Sequence, residues 1–267
     1  MAYPDHPGES ADVLLAWRAN GVAHLRFNRP KALNAIDVAM ARAFHEACRA
    51  IAADEQVRAV CLSGEGRAFM AGGDLAAMRE DPQGVAQQLI DGMHGGLRLL
   101  AQLKAPVVAS VHGAVAGGGL GVALGCDLVI AAEGTKFGIA YPGIGASCDC
   151  STSWGLPRIV GVRKAMELAF LGENFDAAQA LDLGIVNRVV PAAELASATD
   201  ALVQRLAQGP TQAYGHLKRL LRASLQNDLN THLDAEAAGF RDCAGTQDFR
   251  EGVAAFFDKR PPVFQGR

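Results

Sequence analysis

The chain has no surplus of positive charge. Its 25 Lys and Arg stand against 28 Asp and Glu, a formal net charge of −3 over 267 residues. Such a balance gives no electrostatic footprint for a nucleic-acid backbone, so nucleic acid is not an expected partner. No apolar run is long enough to span a bilayer, and the opening MAYPDHPGES has no apolar leader core. A cytoplasmic protein that does not enter membranes is expected. Clustered cysteine is also missing. Of Cys48, Cys61, Cys126, Cys148, Cys150 and Cys243, only Cys148 and Cys150 are close, as C-x-C. No second cluster completes a zinc site, so no metal is expected, and the thiols read as reduced.

What is present is apolar bulk and glycine. Half of the residues are hydrophobic, enough for a sizeable core in one large domain or a domain with an appendage. The chain is organised around PVVASVHGAVAGGGLGVALGCDLVIAA, residues 106–132. Val107 to Val111 reads as a buried strand and Leu128 to Ala132 as the next. Between them Gly117, Gly118 and Gly119 open a short helix, Leu120 to Leu124, stopped by Gly125. A strand, a glycine turn and a helix start leave backbone N–H groups free to bind an anion. A dinucleotide fingerprint does not fit, because Val122 stands where G-x-G-x-x-G needs its last glycine. No Lys-Ser or Lys-Thr follows, so a P-loop does not fit either. Close packing without a ligand and an oxyanion site fit this stretch equally.

Along the chain, Val13–Trp17 and Val22–Phe27 read as a hairpin around Asn20-Gly21, and residues 1–10 as frayed. Residues 28–34, NRPKALN, read as a turn exposing Arg29 and Lys31. Asp37 caps a helix to about Ala53, with Met40, Phe44, Ala47 and Ile51 on one face. Val57–Ser63 is a buried strand, and AFMAGGDL follows it after a glycine turn. Residues 76–88 read as a mobile loop, and Leu89–Leu103 as a helix weakened by Gly92, Gly95 and Gly96. Such a helix needs a packed neighbour or a ligand to order it. Thr135–Ala140 reads as a strand, 141–153 as an irregular loop, Pro157–Leu171 as one helix and Ala177–Leu183 as a second. Ile185–Val190 closes the alternation as a strand, and 192–257 is helix-rich. This alternation implies parallel crossover α/β units. The expected division is a core over 1–191 and a helical region over 192–267.

Three stretches, NRPKALNAI, AFMAGGDL and VHGAVAGGGLGVALGCDLVIAA, in this order and spacing resemble the crotonase superfamily of enoyl-CoA hydratases and isomerases. GLPRIVGVRKAMELAFLGENFDAAQALDLGIVNRVV and EGVAAFFDKR extend the resemblance. It implies an α/β fold of repeated β-β-α turns, with a helical C-terminal trimerisation region and a homotrimer or dimer of trimers. It also implies an acyl-CoA thioester substrate, whose coenzyme A is no separate cofactor. The resemblance places the oxyanion donors at the Gly73 and Gly118 amides. Lys31, Ala32, Ala71, Asp74 and Leu75, with Gly117 and Tyr141, would line the acyl-CoA site. Phe256 and Lys259 would bind coenzyme A from the tail, on this or a neighbouring subunit.

The family's hydratases use two glutamates, and their positions here hold Gly121 and Tyr141. Asp149 instead matches the aspartate of phenylacetate-type and dienoyl-CoA isomerases, and the nucleophile of 4-chlorobenzoyl-CoA dehalogenase. His94 matches the catalytic histidine of that dehalogenase, whose tryptophan is replaced by Tyr141. The resemblance therefore implies enoyl-CoA isomerisation with Asp149 as acid and base. Aryl-CoA dehalogenation by Asp149 and His94, a residual hydratase and a non-catalytic CoA-ester binder are the alternatives. Read locally, Asp149 could also simply cap the helix that follows it.

Overall fold

A computed structural model of the chain describes residues 13–267, so the reading of residues 1–10 lies outside the described residues. β1 (Leu14–Ala19) and β2 (Val22–Phe27) form the expected antiparallel hairpin, with Leu14 opposite Phe27. Asn20 and Gly21 take φ of 50° and 78°, as a turn matched to strand twist requires. β3 (Ala59–Gly64), β4 (Val107–Val111), β6 (Leu128–Ala132) and β9 (Arg188–Val190) then add in parallel. The sheet order is β1-β2-β3-β4-β6-β9. β5 (Ala114–Ala116), β7 (Lys136–Gly138) and β8 (Phe175–Asp176) form a separate three-stranded sheet. Met70 bridges to Val115 of β5 and so extends this smaller layer.

The chain therefore repeats one move: a strand in the large sheet, a short extended piece in the small layer, then a helix. β3, the Met70 segment and α2 (Pro82–Gln102) make one turn. β4, β5 and α3 (Gly118–Gly125) make the next, and β6, β7 and α4 (Thr152–Val160) a third. This is the mixed α/β, β-β-α arrangement that the family resemblance implied. In β3, Val60 and Leu62 enter one core, whereas Ala59 and Cys61 enter the other. α1 (Val38–Ala53), capped by Asp37 through Met40 N–H, buries Met40, Phe44 and Ile51 in the first core. α7 (Leu195–Ala207) covers the opposite face with Leu195, Val203 and Ala207. α8 (Thr211–Ala223) is held there by Asp127, which pairs with Lys218 at 2.7 Å and Arg222 at 2.8 Å. α9 (Leu229–Ala244) and α10 (Gln247–Asp258) complete the tail.

Three local expectations are corrected. Residues 82–88 are the first turns of α2, capped by Asp81 through Gly84 N–H and opened by Pro82. The glycines of α2 mark its contact with α1. A Cβ on Gly92 would lie 2.6 Å from Ala41 O, and one on Gly96 2.5 Å from the Phe44 ring. That packing supplies the order the helix lacks by propensity. The helix expected over 157–171 is two, α4 and α5 (Val162–Leu171), broken at Gly161. The strands expected over 135–140 and 185–190 shrink to 136–138 in the small sheet and 188–190 in the large one, with α6 (Ala177–Asp182) between them.

Candidate active site

The Gly73 amide owes its freedom to a one-residue bridge. Ile36 and Gly73 pair as a parallel bridge, in which Ile36 N–H donates to Gly72 O at 2.8 Å and Asp74 N–H to Ile36 O at 2.9 Å. Both bonds come from the neighbours of Gly73, so its own N–H points away from Ile36. Gly118 is the first residue of α3, where helix N–H groups have no partner within the helix. Neither the Gly73 nor the Gly118 N–H donates to a backbone group among the described residues. The two loops touch, because a Cβ on Gly72 would lie 3.3 Å from Ala116 O and 3.8 Å from Gly118 N. Gly117, at φ 50° and ψ −124°, makes the bend that starts the helix there. The α3 dipole adds partial positive charge at Gly118.

Asp149 approaches Gly118 from the loop before α4. Its Oδ1 lies 3.6 Å from the Cβ position of Gly118. It does not cap α4, whose N-cap is Ser151 with no side-chain bond. Its carboxylate instead accepts a short hydrogen bond from the buried Tyr141 hydroxyl. The next two residues, Cys150 and Ser151, take left-handed φ of 46° and 67°. Such non-glycine conformations cost about 1–3 kcal/mol each and persist where the surroundings enforce them. Two side-chain bonds do so here. Cys150 N–H donates to His94 Nε2 at 3.1 Å, and Ser151 Oγ donates to Gly121 O at 3.2 Å. As an acceptor, His94 Nε2 carries no proton, so the neutral ring is protonated at Nδ1. Burial and the adjacent Asp149 push the Cys150 thiol well up, and Cys148 is raised by the same causes, so neither is a ready thiolate. Burial first, then Asp149, raises the Tyr141 hydroxyl, which therefore stays a donor.

The other expected residues divide into two places. Lys31 and Ala32 lie on a short 3₁₀ turn, and Leu33 O after it accepts from Ala71 N–H at 3.1 Å. Ala71, Asp74 and Leu75 are thus beside Gly73, with Leu75 half exposed and Lys31 exposed. Phe256, 79% exposed, lies on α10 beside Phe249, Val253 and Phe264, and Lys259 follows as its left-handed cap. Among the described residues no cluster of His, Cys, Asp or Glu could hold a metal, and no helix is long and apolar enough to cross a membrane. Arg29 departs from expectation. Read as exposed, it is instead largely buried in ion pairs with Asp37 and Asp74.

Residues 18–267 match the family model for enoyl-CoA hydratase/isomerase. The chain belongs to the enoyl-CoA hydratase/isomerase family. It is an acyl-CoA enzyme of this crotonase superfamily. Among similar relatives, the 1,2-epoxyphenylacetyl-CoA isomerase of Escherichia coli (strain K12) is 38% identical over 260 residues, covering 96% of this chain and 99% of that protein. The 4-chlorobenzoyl coenzyme A dehalogenase-2 of an Arthrobacter species is 33% identical, covering 90% and 88%. The solved enoyl-CoA hydratase of Mycobacterium smegmatis superposes with a TM-score of 0.88 at 33% identity, covering 94% and 98%. The relatives carry three different reaction names, so within the family the reaction rests on the side chains around the site.

Proposed function

We propose that the protein isomerises the double bond of an enoyl-CoA thioester. Gly73 and Gly118 N–H would bind the thioester oxygen, and Asp149 would carry the proton. In this reading Asp149 removes a proton from one carbon of the enoyl chain, the negative charge spreads to the thioester oxygen as a dienolate, and the proton returns two carbons away. Charge develops where fixed backbone donors already point, so little reorganisation is needed. A single carboxylate suffices, because what it removes it also gives back.

The observation that carries the reading is the packing at Gly121. A Cβ there would lie 2.4 Å from the Cys150 carbonyl oxygen and 2.5 Å from Thr152 Oγ1. The segment that delivers Asp149 fills the space beside the first hydratase position, while Tyr141 occupies the second and binds Asp149. In this reading one aspartate, supported by the Tyr141 hydroxyl, stands in place of two water-handling carboxylates. His94 serves this arrangement as an anchor for the Cys150 amide. Its Nε2 is committed to that bond, which weighs against a role as water-activating base in the dehalogenase reading.

Asp149→Asn keeps the shape and removes the base. It should lower α-proton exchange by about 10²–10⁴ while acyl-CoA binding persists. Undiminished exchange in a variant that binds normally would rule Asp149 out.

The assembly belongs to the same proposal. Leu217, Leu221, Leu225, Leu229 and Phe240 on or beside α8 and α9, with Phe256 and Phe257 on α10, are all exposed. So many exposed large apolar side chains on the tail helices suit burial against further copies of the chain. A homotrimer, or a dimer of trimers, would cover it and let Phe256 and Lys259 reach a neighbour's coenzyme A. Light scattering at the monomer mass at micromolar protein would contradict this.

A further inference from the structure

We infer that Arg29 is the positioning residue of the oxyanion site, and that its guanidinium sets the aim of the Gly73 N–H. The inference rests on the proposed role of Gly73 as a donor to the thioester oxygen. Gly73 has no side chain through which it could be held. Its direction is fixed by the bridge to Ile36, and therefore by whatever holds Ile36. Arg29 holds the residues on both sides of it. Nη1 donates to Ala35 O at 2.5 Å, and Nε pairs with Asp37 Oδ2 at 3.1 Å. Nη2 then crosses to the other strand of the bridge and pairs with Asp74 Oδ2 at 2.9 Å. One planar group thus clasps both strands of the Ile36–Gly73 bridge.

The clasp is itself braced. Arg29 N–H donates to Asn34 Oδ1, and the fully buried Asn34 donates from Nδ2 to Glu65 O and Ala68 O. Each carboxylate uses its second oxygen on backbone, Asp37 on Met40 N–H and Asp74 on Ala76 N–H. Both aspartates are therefore held from two sides, and Arg29 cannot move without disturbing the Gly73 peptide. A lysine could not do this, because a single ammonium lacks the rigid fork that addresses three acceptors in different directions.

The test is difference infrared spectroscopy of a saturated acyl-CoA carrying ¹³C at the thioester carbonyl, bound to wild type, Arg29→Lys and Asp74→Asn, with kcat and KM measured for each. In the wild type the bound carbonyl band should lie below its value in water, as donation from two N–H groups requires. In Arg29→Lys it should return toward the free value, with kcat down by about 100-fold, the scale of a misplaced reacting group. KM should change much less. Asp74→Asn keeps the side-chain size and should give a smaller shift in the same direction, which serves if the lysine variant does not fold. Wild-type band position and kcat in either folded variant would overturn the inference. An unshifted band in the wild type would instead overturn the oxyanion reading on which it rests.

Discussion

Gly121→Ala is the substitution whose outcome the packing dictates most sharply. The added methyl would meet the Cys150 carbonyl oxygen at 2.4 Å, Thr152 Oγ1 at 2.5 Å and Cys150 Cβ at 2.9 Å. The first of these is backbone and cannot rotate away, so either α3 or the 149–152 segment must move. Overpacking of this kind costs about 1–3 kcal/mol. Against it stands the helix-propensity gain of alanine over glycine, about 1 kcal/mol. Because the contact is with backbone, the cost falls in the upper part of that range, about 2–3 kcal/mol, so the clash should win by about 1–2 kcal/mol, which for a chain of this size lowers Tm by roughly 2–8 °C. The same shift would carry Asp149 away from Gly118, so the proposed isomerisation should fall further than stability alone explains. Thermal unfolding and deuterium incorporation from D₂O measure the two effects. Gly143→Ala is the control, since a Cβ there meets nothing within 4 Å. An unchanged Tm and turnover in Gly121→Ala would refute the packing argument. Water addition by Gly121→Glu would refute the view that this position is closed to a catalytic carboxylate.

Other expectations follow from the same geometry. Tyr141→Phe removes the hydroxyl that donates to Asp149, and a hydrogen bond to a charged group is worth about 1.5–3 kcal/mol. Turnover should drop about tenfold or more, in a steady-state assay, without loss of acyl-CoA binding. Gly118→Ala keeps the N–H but sets a methyl 3.3 Å from Cys150 Sγ and 3.6 Å from Asp149 Oδ1, in the space proposed for the thioester. Its kcat/KM should collapse while circular dichroism stays unchanged. The Glu251 carboxyl is drawn from its ordinary 4.5 down to about 2 by hydrogen bonds from Arg260 and then from Val263 N–H. A depressed carboxylate stabilises the fold above pH 4.5, and that contribution disappears as pH falls toward 2. Wild type should therefore lose Tm over this window faster than Glu251→Gln; parallel acid titrations would show the clasp on residues 260–263 to be inert.

Much of this was legible in the sequence because it is written in local chemistry. Asn20-Gly21 announces its turn, Asp37 its helix, and Gly117 to Gly119 their helix start. The start of α2 was harder to see, since Gln83, Gly84, Gln87 and Gln88 give almost no apolar period. Asp81-Pro82 was its one clear signal. The role of Gly92 and Gly96 needed a partner helix to become intelligible. Asp149 is singled out only by the family resemblance, and its bond to Tyr141 and the anchoring of Cys150 by His94 depend on a loop whose path no periodicity encodes. Arg29 was misread because a charged residue in a proline turn looks solvated, whereas its acceptors lie up to 45 residues away.

A proton shuttle by Asp149 and the addition of water leave different products. A mass-spectrometric panel in D₂O, with 2-enoyl, 3-enoyl, aryl-enoyl and 4-halobenzoyl thioesters, separates them. The proton shuttle should give a shifted double bond and deuterium gain with no added water, both lost in Asp149→Asn. Net hydration, or halide release from the halobenzoyl ester, would contradict it.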